Sequence, residues 1–476
     1  MRVRRSIIIS LLNSNVNTAV MFLVGLFLAR MLTPAQIGVF SLGAVVINLA
    51  AVLRDLGAQT YVVQKQGLLP EEASSAMGLM LCTAAMWTVV LWLIAPSIAL
   101  YFGQPEIESV IHVMTISFML VPISGVLSAL LMRGLQAEKT AIVLSVSTLS
   151  FCVTALVLAN HGAGALSMAW ANVANVVTNV LGYWLFRDRG TLRWPSLRGW
   201  TPIVRYGGGV VANQLASVAN QSAPDVAIGR LVDGHGVGVY SRANGLVSMF
   251  QQAVAPMLNY NVLPYVAHSG HTREVIAQQL GRAGALLSGL AWPVYVFLGV
   301  YAESVLGVLY GSQWLEAAPL VAMLCLTGAV KSPFMHLTLA LQAVDKSWAA
   351  AAPNVAAFVV RAVVVLAVRP TDLLTLTWCL MLGEWVNTAI TLHLARRHLH
   401  LGYREMAAHQ WPSVVVGLGC LVVVLGFSQL TSTWSPTVSM LCAGPLTLVA
   451  WTALVFFSGH PLASEIRGIL GKRKRA

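Results

Sequence analysis

Inside otherwise apolar sequence, a small set of side chains can do chemistry. Gln214, Ser217, Gln221 and Asp225 fall at i, i+3, i+7 and i+11, one face of a helix, with Pro224 beside them to loosen the backbone. Ser241, Gly245, Ser248, Gln252, Ala255 and Asn259 follow at helical spacing, Asn13 and Asn17 stand four apart, and Asn172, Asn175 and Asn179 form a further row. Such rows of amides and hydroxyls either bond sugar hydroxyls in a watery cavity or bond a neighbouring helix. The rows at 13–17, 214–225 and 241–259 read as cavity lining, and the row at 172–179 as packing.

Charges are the costlier residents. An ion in hydrocarbon costs ~2.5–3.5 kcal/mol on insertion scales, so each one invites a functional reading. Lys331, mid-span beside Pro333, has no acidic neighbour in sequence and is the leading candidate for meeting an anionic substrate. Arg361 lies about 13 residues into its span, about 20 Å at the helical rise, too deep to snorkel to the near surface. Glu384 lies at a comparable depth from the other side. The two can therefore meet as a structural ion pair or serve a substrate and a proton, and both readings stand. Arg242 is one turn inside a span and can form an electropositive rim with Arg30 and Arg230, although helix-end anchoring accounts for the latter two as well. Arg54 reads as interfacial, while Asp225 and Glu384, the deepest acids, are candidates for proton or cation coupling.

These residues need a membrane scaffold to position them. Of 476 residues, 57% are apolar and only 10% charged, where soluble domains run nearer a quarter charged. Breaks at Pro, Gly and charge clusters mark spans near 6–30, 37–60, 74–100, 107–132, 141–160, 163–186, 203–229, 238–264, 280–302, 315–342, 348–368, 372–395, 411–430 and 434–458. The expectation is an all-α polytopic membrane protein of about 14 transmembrane helices, with the amino-terminal run kept as the first span because it lacks a small-x-small cleavage site. Of the 29 Lys and Arg, 22 fall in the tails and loops on the side of the termini, three on the opposite side and four (Arg54, Arg242, Lys331 and Arg361) within spans. That bias places both termini in the cytoplasm and turns the formal +12 into loop charge rather than a nucleic-acid signal.

An internal repeat divides the chain. RMLTPAQIGVFS at 30–41 and RLVDGHGVGVYS at 230–241 share R-x7-G-V-[FY]-S at an offset of 200, and Asn13 matches Asn213 at the same offset. Six expected helices separate the copies, so the halves are parallel repeats about an axis along the membrane normal, as in alternating-access transporters. The boundaries that follow are an N-terminal lobe 1–186, a basic linker 187–202, a C-terminal lobe 203–398, an accessory helix pair 399–460 and a basic tail 461–476.

ARMLTPAQIGVFSLGAVVINLAAVLRDLG, with Arg30, Leu32, Gly38, Phe40, Asp55 and Gly57, resembles the start of bacterial Wzx-type polysaccharide flippases in the multidrug/oligosaccharidyl-lipid/polysaccharide superfamily. Ile228, Gly229, Arg230, Gly238, Tyr240, Ser241, Arg242 and Ala243 are similar to that family's second-half segment, and Gly311, Trp314 and Ala317 to its G-x-x-W-x-x-A segment. Asp233-Gly234-His235 departs from the small-residue turn expected there. The resemblance implies two six-helix lobes plus two C-terminal helices, moving an undecaprenyl-diphosphate-linked oligosaccharide across a bacterial inner membrane by alternating access coupled to protons or a cation. It also implies membrane lipids as partners, with a polysaccharide polymerase and a chain-length regulator as further ones. Substrate contacts would come from Lys331, Arg361, Arg242, Gln214, Gln221, Gln252, Asn259, Asn13 and Asn17.

The rivals are a drug/cation antiporter of the same superfamily, which would expose acids rather than bases, and a membrane-embedded polysaccharide polymerase, which would carry a large outer loop. No P-loop, G-x-S-x-G or H-E-x-x-H is present, and the 11 histidines give no metal constellation, so neither an enzyme nor a cofactor is expected. The six cysteines lie in apolar stretches without a C-x-x-C pair and read as buried thiols.

Overall fold

Thr33 shows why the second helix starts where it does. Its hydroxyl accepts the Gln36 N–H at 3.3 Å, the Gln36 side chain accepts the Thr33 N–H at 3.0 Å, and Pro34 occupies the first helical position, where a missing N–H costs nothing. In the computed structural model the chain is helical throughout its apolar runs, with no strand among the described residues. Within hydrocarbon every backbone amide must find its partner inside its own segment, which leaves helices as the solution. The structure describes residues 2–134, 136–187, 194–268, 273–343, 347–399 and 401–473, with side chains described outside 2–12, 14, 209–210, 213, 255–268, 273–274, 343, 347–348 and 469–473.

Two compact units emerge, Met1–Ser241 and Arg242–Ala476. The first contains α1 (Arg2–Met31), α2 (Pro34–Asp55), α3 (Ala58–Gln64), α4 (Pro70–Phe102), α5 (Glu106–Arg133), α6 (Ala137–Asn160), α7 (Ala165–Phe186), α8 (Thr201–Leu231) and the start of α9 (Gly234–His268). The second holds the rest of α9, then α10 (Arg273–Val300), α11 (Ala302–Leu309), α12 (Ala318–Lys331), α13 (Leu337–Ala343), α14 (Ser347–Val368), α15 (Leu373–Leu399), α16 (Tyr403–Leu430), α17 (Pro436–Phe457) and α18 (Pro461–Arg473). Ten helical segments among the described residues are long and apolar enough to cross a membrane, which makes this a multi-pass membrane protein. Asn172, Asn175 and Asn179 keep the 22-residue α7 out of that set, whereas α1, α8 and α9 run 30, 31 and 35 residues.

Two expected spans differ in detail from the structure, one cut short and one locally kinked. The run at 37–60 stops at Asp55, because Leu56 and Gly57 turn left-handed (φ 47° and 71°) before α3 begins. The run at 315–342 remains one membrane-length segment, Ser312–Gln342, but its α-helix is interrupted after Lys331, because Pro333 cannot continue the amide ladder and residues 332–334 tighten into a 3-10 turn. Two of the six cysteines, Cys82 and Cys442, are exposed rather than buried.

The repeat has a structural counterpart in the first unit. Asp233, the residue that departs from the expected turn, accepts the Gly236 N–H at 2.6 Å, which is Thr33's role at the matching position of α2. A Cβ added at Gly38 would strike the Gly234 carbonyl, and one added at Gly238 would strike the Pro34 carbonyl. Position 38 thus meets 234 as 238 meets 34, the reciprocal pattern of two equivalent elements about a two-fold axis. Replacing Gly238 with Leu should force these helix starts apart, costing ~1–3 kcal/mol as overpacking does. Gly245→Ala, with open space within 4 Å of its added Cβ, is the control. A thermal midpoint of the solubilised Gly238→Leu protein no lower than that of the control would mean the close approach does not exist.

Candidate functional site

Gly383 lets α14 and α15 approach closely: a Cβ there would collide with the Arg361 side chain and lie 3.0 Å from the Ala357 carbonyl oxygen. Arg361 fills that space, donating from Nε to the Leu380 carbonyl at 3.2 Å and from Nη2 to Glu384 Oε1. The other carboxylate oxygen, Oε2, takes Lys331 Nζ at 3.1 Å. One carboxylate is therefore shared by two cations, each on its own oxygen, and the group carries a net charge of +1.

The three members differ in exposure. The Arg361 side chain is 5% exposed, Glu384 21% and Lys331 38%. Arg361 fixes the position of the carboxylate, and the carboxylate in turn holds the more exposed ammonium of Lys331. Lys331 ends α12 where Pro333 breaks the helix, so its side chain leaves from a loosened turn rather than from a continuous helical wall. The spare positive charge is thus on the accessible member.

A polar strip extends the triad between the same two helices. Asn387 Nδ2 donates to Asn354 Oδ1 at 3.0 Å, Thr391 Oγ1 donates to Asn387 Oδ1 at 3.4 Å, and Thr388 Oγ1 returns to the Glu384 carbonyl at 3.0 Å. Asn354 and Asn387 were not singled out from the sequence, yet the signal was present. Asn354 lies seven residues before Arg361, and Asn387 three after Glu384, one face in each case.

The remaining sequence candidates are not gathered into this cluster. In the first unit Gln221 donates to Ser217 at 3.0 Å, while Gln214 and Asp225 are half-buried along the same helix. In the second unit Gln252 donates to Ser248 at 3.0 Å, the same Ser-x-x-x-Gln device on α9. Asn13 accepts from Ser145 of α6 at 2.7 Å, a helix-to-helix bond, and Asn17 is half-buried. The Asn259 side chain lies outside the described residues. Asn175 donates to the Ser147 carbonyl at 2.9 Å and accepts from Asn179, as a packing row does. Arg242 places its guanidinium 5.8 Å from the centre of the Trp314 ring, itself fully buried. Arg54 is covered by protein rather than exposed at its helix end: it is 6% exposed, lies over the Phe118 ring and donates to the Phe118 carbonyl at 3.2 Å.

Comparison with known proteins gives a consistent set of relatives. Residues 27–319 match the family described as "Polysaccharide biosynthesis protein". The succinoglycan biosynthesis transport protein ExoT of Rhizobium meliloti is 26% identical over 306 residues, and the match spans 64% of this chain and 62% of that protein, less than two thirds of its length. The lipopolysaccharide biosynthesis protein WzxC of Escherichia coli is 20% identical over 92% of this chain and 90% of its own. Among solved structures, a lipid II flippase MurJ in an inward closed conformation superposes with a TM-score of 0.75 at 10% identity, covering 93% of this chain and 98% of that one. An inward-facing multidrug resistance transporter of the MATE family superposes at 0.64 and 16% identity, covering 83% and 98%. At these identities the structural likeness is one of fold.

Proposed function

Because this chain belongs to the polysaccharide biosynthesis protein family, we propose that it is a flippase. It moves lipid-linked oligosaccharides, on an undecaprenyl diphosphate carrier, from the cytoplasmic to the outer leaflet of a bacterial inner membrane. The observation that carries this reading is the Lys331–Glu384–Arg361 triad. A net positive charge held among apolar helices is costly unless an anion visits it, and a diphosphate is such an anion. A cation antiporter would want the opposite sign at this place.

In this reading Lys331 meets the diphosphate, Arg361 and Glu384 position it, and Arg242 adds a second cation. Gln214, Gln221, Gln252, Asn13, Asn17 and Asn259 bond sugar hydroxyls. Both oxygens of Glu384 are engaged by cations, which favours positioning over proton transfer, so the coupling role rests with Asp225. The four long helices α1, α7, α8 and α9 cross the membrane beside the ten apolar segments, giving two six-helix lobes and a C-terminal pair with both termini cytoplasmic. The reciprocal contacts of Gly38 and Gly238 support that repeat. A polymerase and a chain-length regulator would receive the product.

A deletion strain tests the reading. Lipid-linked repeat units should collect on the cytoplasmic leaflet and surface polysaccharide should disappear. Unchanged polysaccharide in a strain with no second flippase would remove the function.

A further inference from the structure

Away from the triad and the amide rows, the first unit contains a cleft of about 360 Å³ where three helix ends meet. Its walls come from Leu69 ahead of α4 and from Leu127, Leu130 and Leu131 in the last turns of α5, and its mouth carries Arg133 and Arg187. α4 begins at Pro70, α5 ends at Arg133 and α7 ends at Phe186, so the cleft lies at the ends of two membrane-length helices, α4 and α5, beside the end of α7. That volume lies in the range of small-molecule sites.

The two guanidiniums are held but not consumed. Arg133 is anchored at one nitrogen, Nη1, by the Val62 and Lys65 carbonyls. Arg187 stacks on Trp184 with its central carbon 3.3 Å from the ring centre, and its Nη1 is buried without a hydrogen-bond partner among the described residues. A buried guanidinium nitrogen with no acceptor among the described residues is expensive, and an anion at the cleft mouth would satisfy it. The nearby carboxylate of Glu72 does not supply one, since Lys65 and the Leu69 N–H hold it. Leu69 itself is 58% exposed, an apolar side chain with nothing covering it at the cleft edge.

We propose that this cleft binds an anionic glycerophospholipid of the surrounding leaflet, its phosphate between Arg133 and Arg187 and the start of one acyl chain along Leu69, Leu127 and Leu130. The pairing is one of complementary chemistry. Forked guanidiniums match phosphate oxygens, the leucines match the chain, and basic pockets between transmembrane helices are where lipid headgroups dock. A free inorganic anion would leave the leucines wet, and a zwitterionic lipid would bring its own cation to a mouth that already holds two arginines.

Native mass spectrometry of the detergent-extracted full chain, titrated with phosphatidylglycerol, measures retention. The wild type should keep one lipid, at least tenfold more tightly than the Arg133→Gln/Arg187→Gln double variant. Leu127→Trp, which fills the cleft and leaves both arginines, should lose it equally. A photoactivatable phosphatidylglycerol in the unmutated protein should label residues 127–131, a readout that does not depend on any variant folding. Equal retention by the wild type and the double variant, or labelling spread evenly over the lipid-facing helices, would overturn the site. Phosphatidylcholine held as tightly as phosphatidylglycerol, or inorganic phosphate displacing the lipid, would overturn the proposed ligand. So would undecaprenyl phosphate binding at lower concentration than phosphatidylglycerol.

Discussion

Lys331→Ala should leave a folded, membrane-inserted protein that no longer restores surface polysaccharide. Removing the ammonium leaves Arg361 and Glu384 as a neutral pair that still satisfies its own hydrogen bonds, and the lost side chain was 38% exposed, so little packing goes with it. What disappears is the surplus charge. A hydrogen bond between charged groups contributes about 1.5–3 kcal/mol, and each 1.4 kcal/mol is a factor of ten, so flipping at limiting substrate should fall by roughly 10- to 100-fold. Initial rates with a labelled lipid-linked oligosaccharide in proteoliposomes measure this, and Lys331→Arg should recover part of the loss. A Lys331→Ala protein that flips at the wild-type rate would show that the diphosphate does not meet this residue.

Much of the scaffold was legible because it follows from local rules. Thr33-Pro34-Ala35-Gln36 states a capped helix start outright, and the R-x7-G-V-[FY]-S repeat foretold equivalent helix starts, which the reciprocal contacts of Gly38 and Gly238 then display. In the sequence Pro333 reads only as a neighbour of Lys331 in a continuous span, whereas in the structure it interrupts the α-helix directly after Lys331. The partner of Lys331 was the larger omission. Glu384 stands 53 residues away on a different helix, and only the packing of α12 on α15 makes them neighbours. Arg54 misled for a related reason. Its position one residue from the end of α2 suggests an exposed anchor, but α5 covers it and supplies both the Phe118 ring and its carbonyl. Helical periodicity says which residues share a face, whereas the identity of the facing helix is a tertiary fact.

Glu384→Ala should be the most destabilising single change in the second unit. Without the carboxylate, Arg361 remains 5% exposed beside Lys331 and keeps its bond to the Leu380 carbonyl, but the counter-charge that Glu384 supplied to both cations is gone. Removing one partner of a buried ion pair costs ~3–5 kcal/mol, chiefly from the charge left behind. Arg361→Met should cost less, because Lys331 still neutralises Glu384. The double variant Arg361→Met/Glu384→Gln should be more stable than Glu384→Gln alone, since no buried cation is then stranded, and the resulting coupling should lie within ~0.5–3 kcal/mol. Transport separates this from a simple packing account: the stabilised double variant keeps the Lys331 charge but loses the carboxylate that holds it, so flipping should remain low while the thermal midpoint recovers. If instead Glu384→Gln is as stable as the wild type in a bilayer, the carboxylate is not compensating the two cations, and the net charge assigned to the triad is wrong.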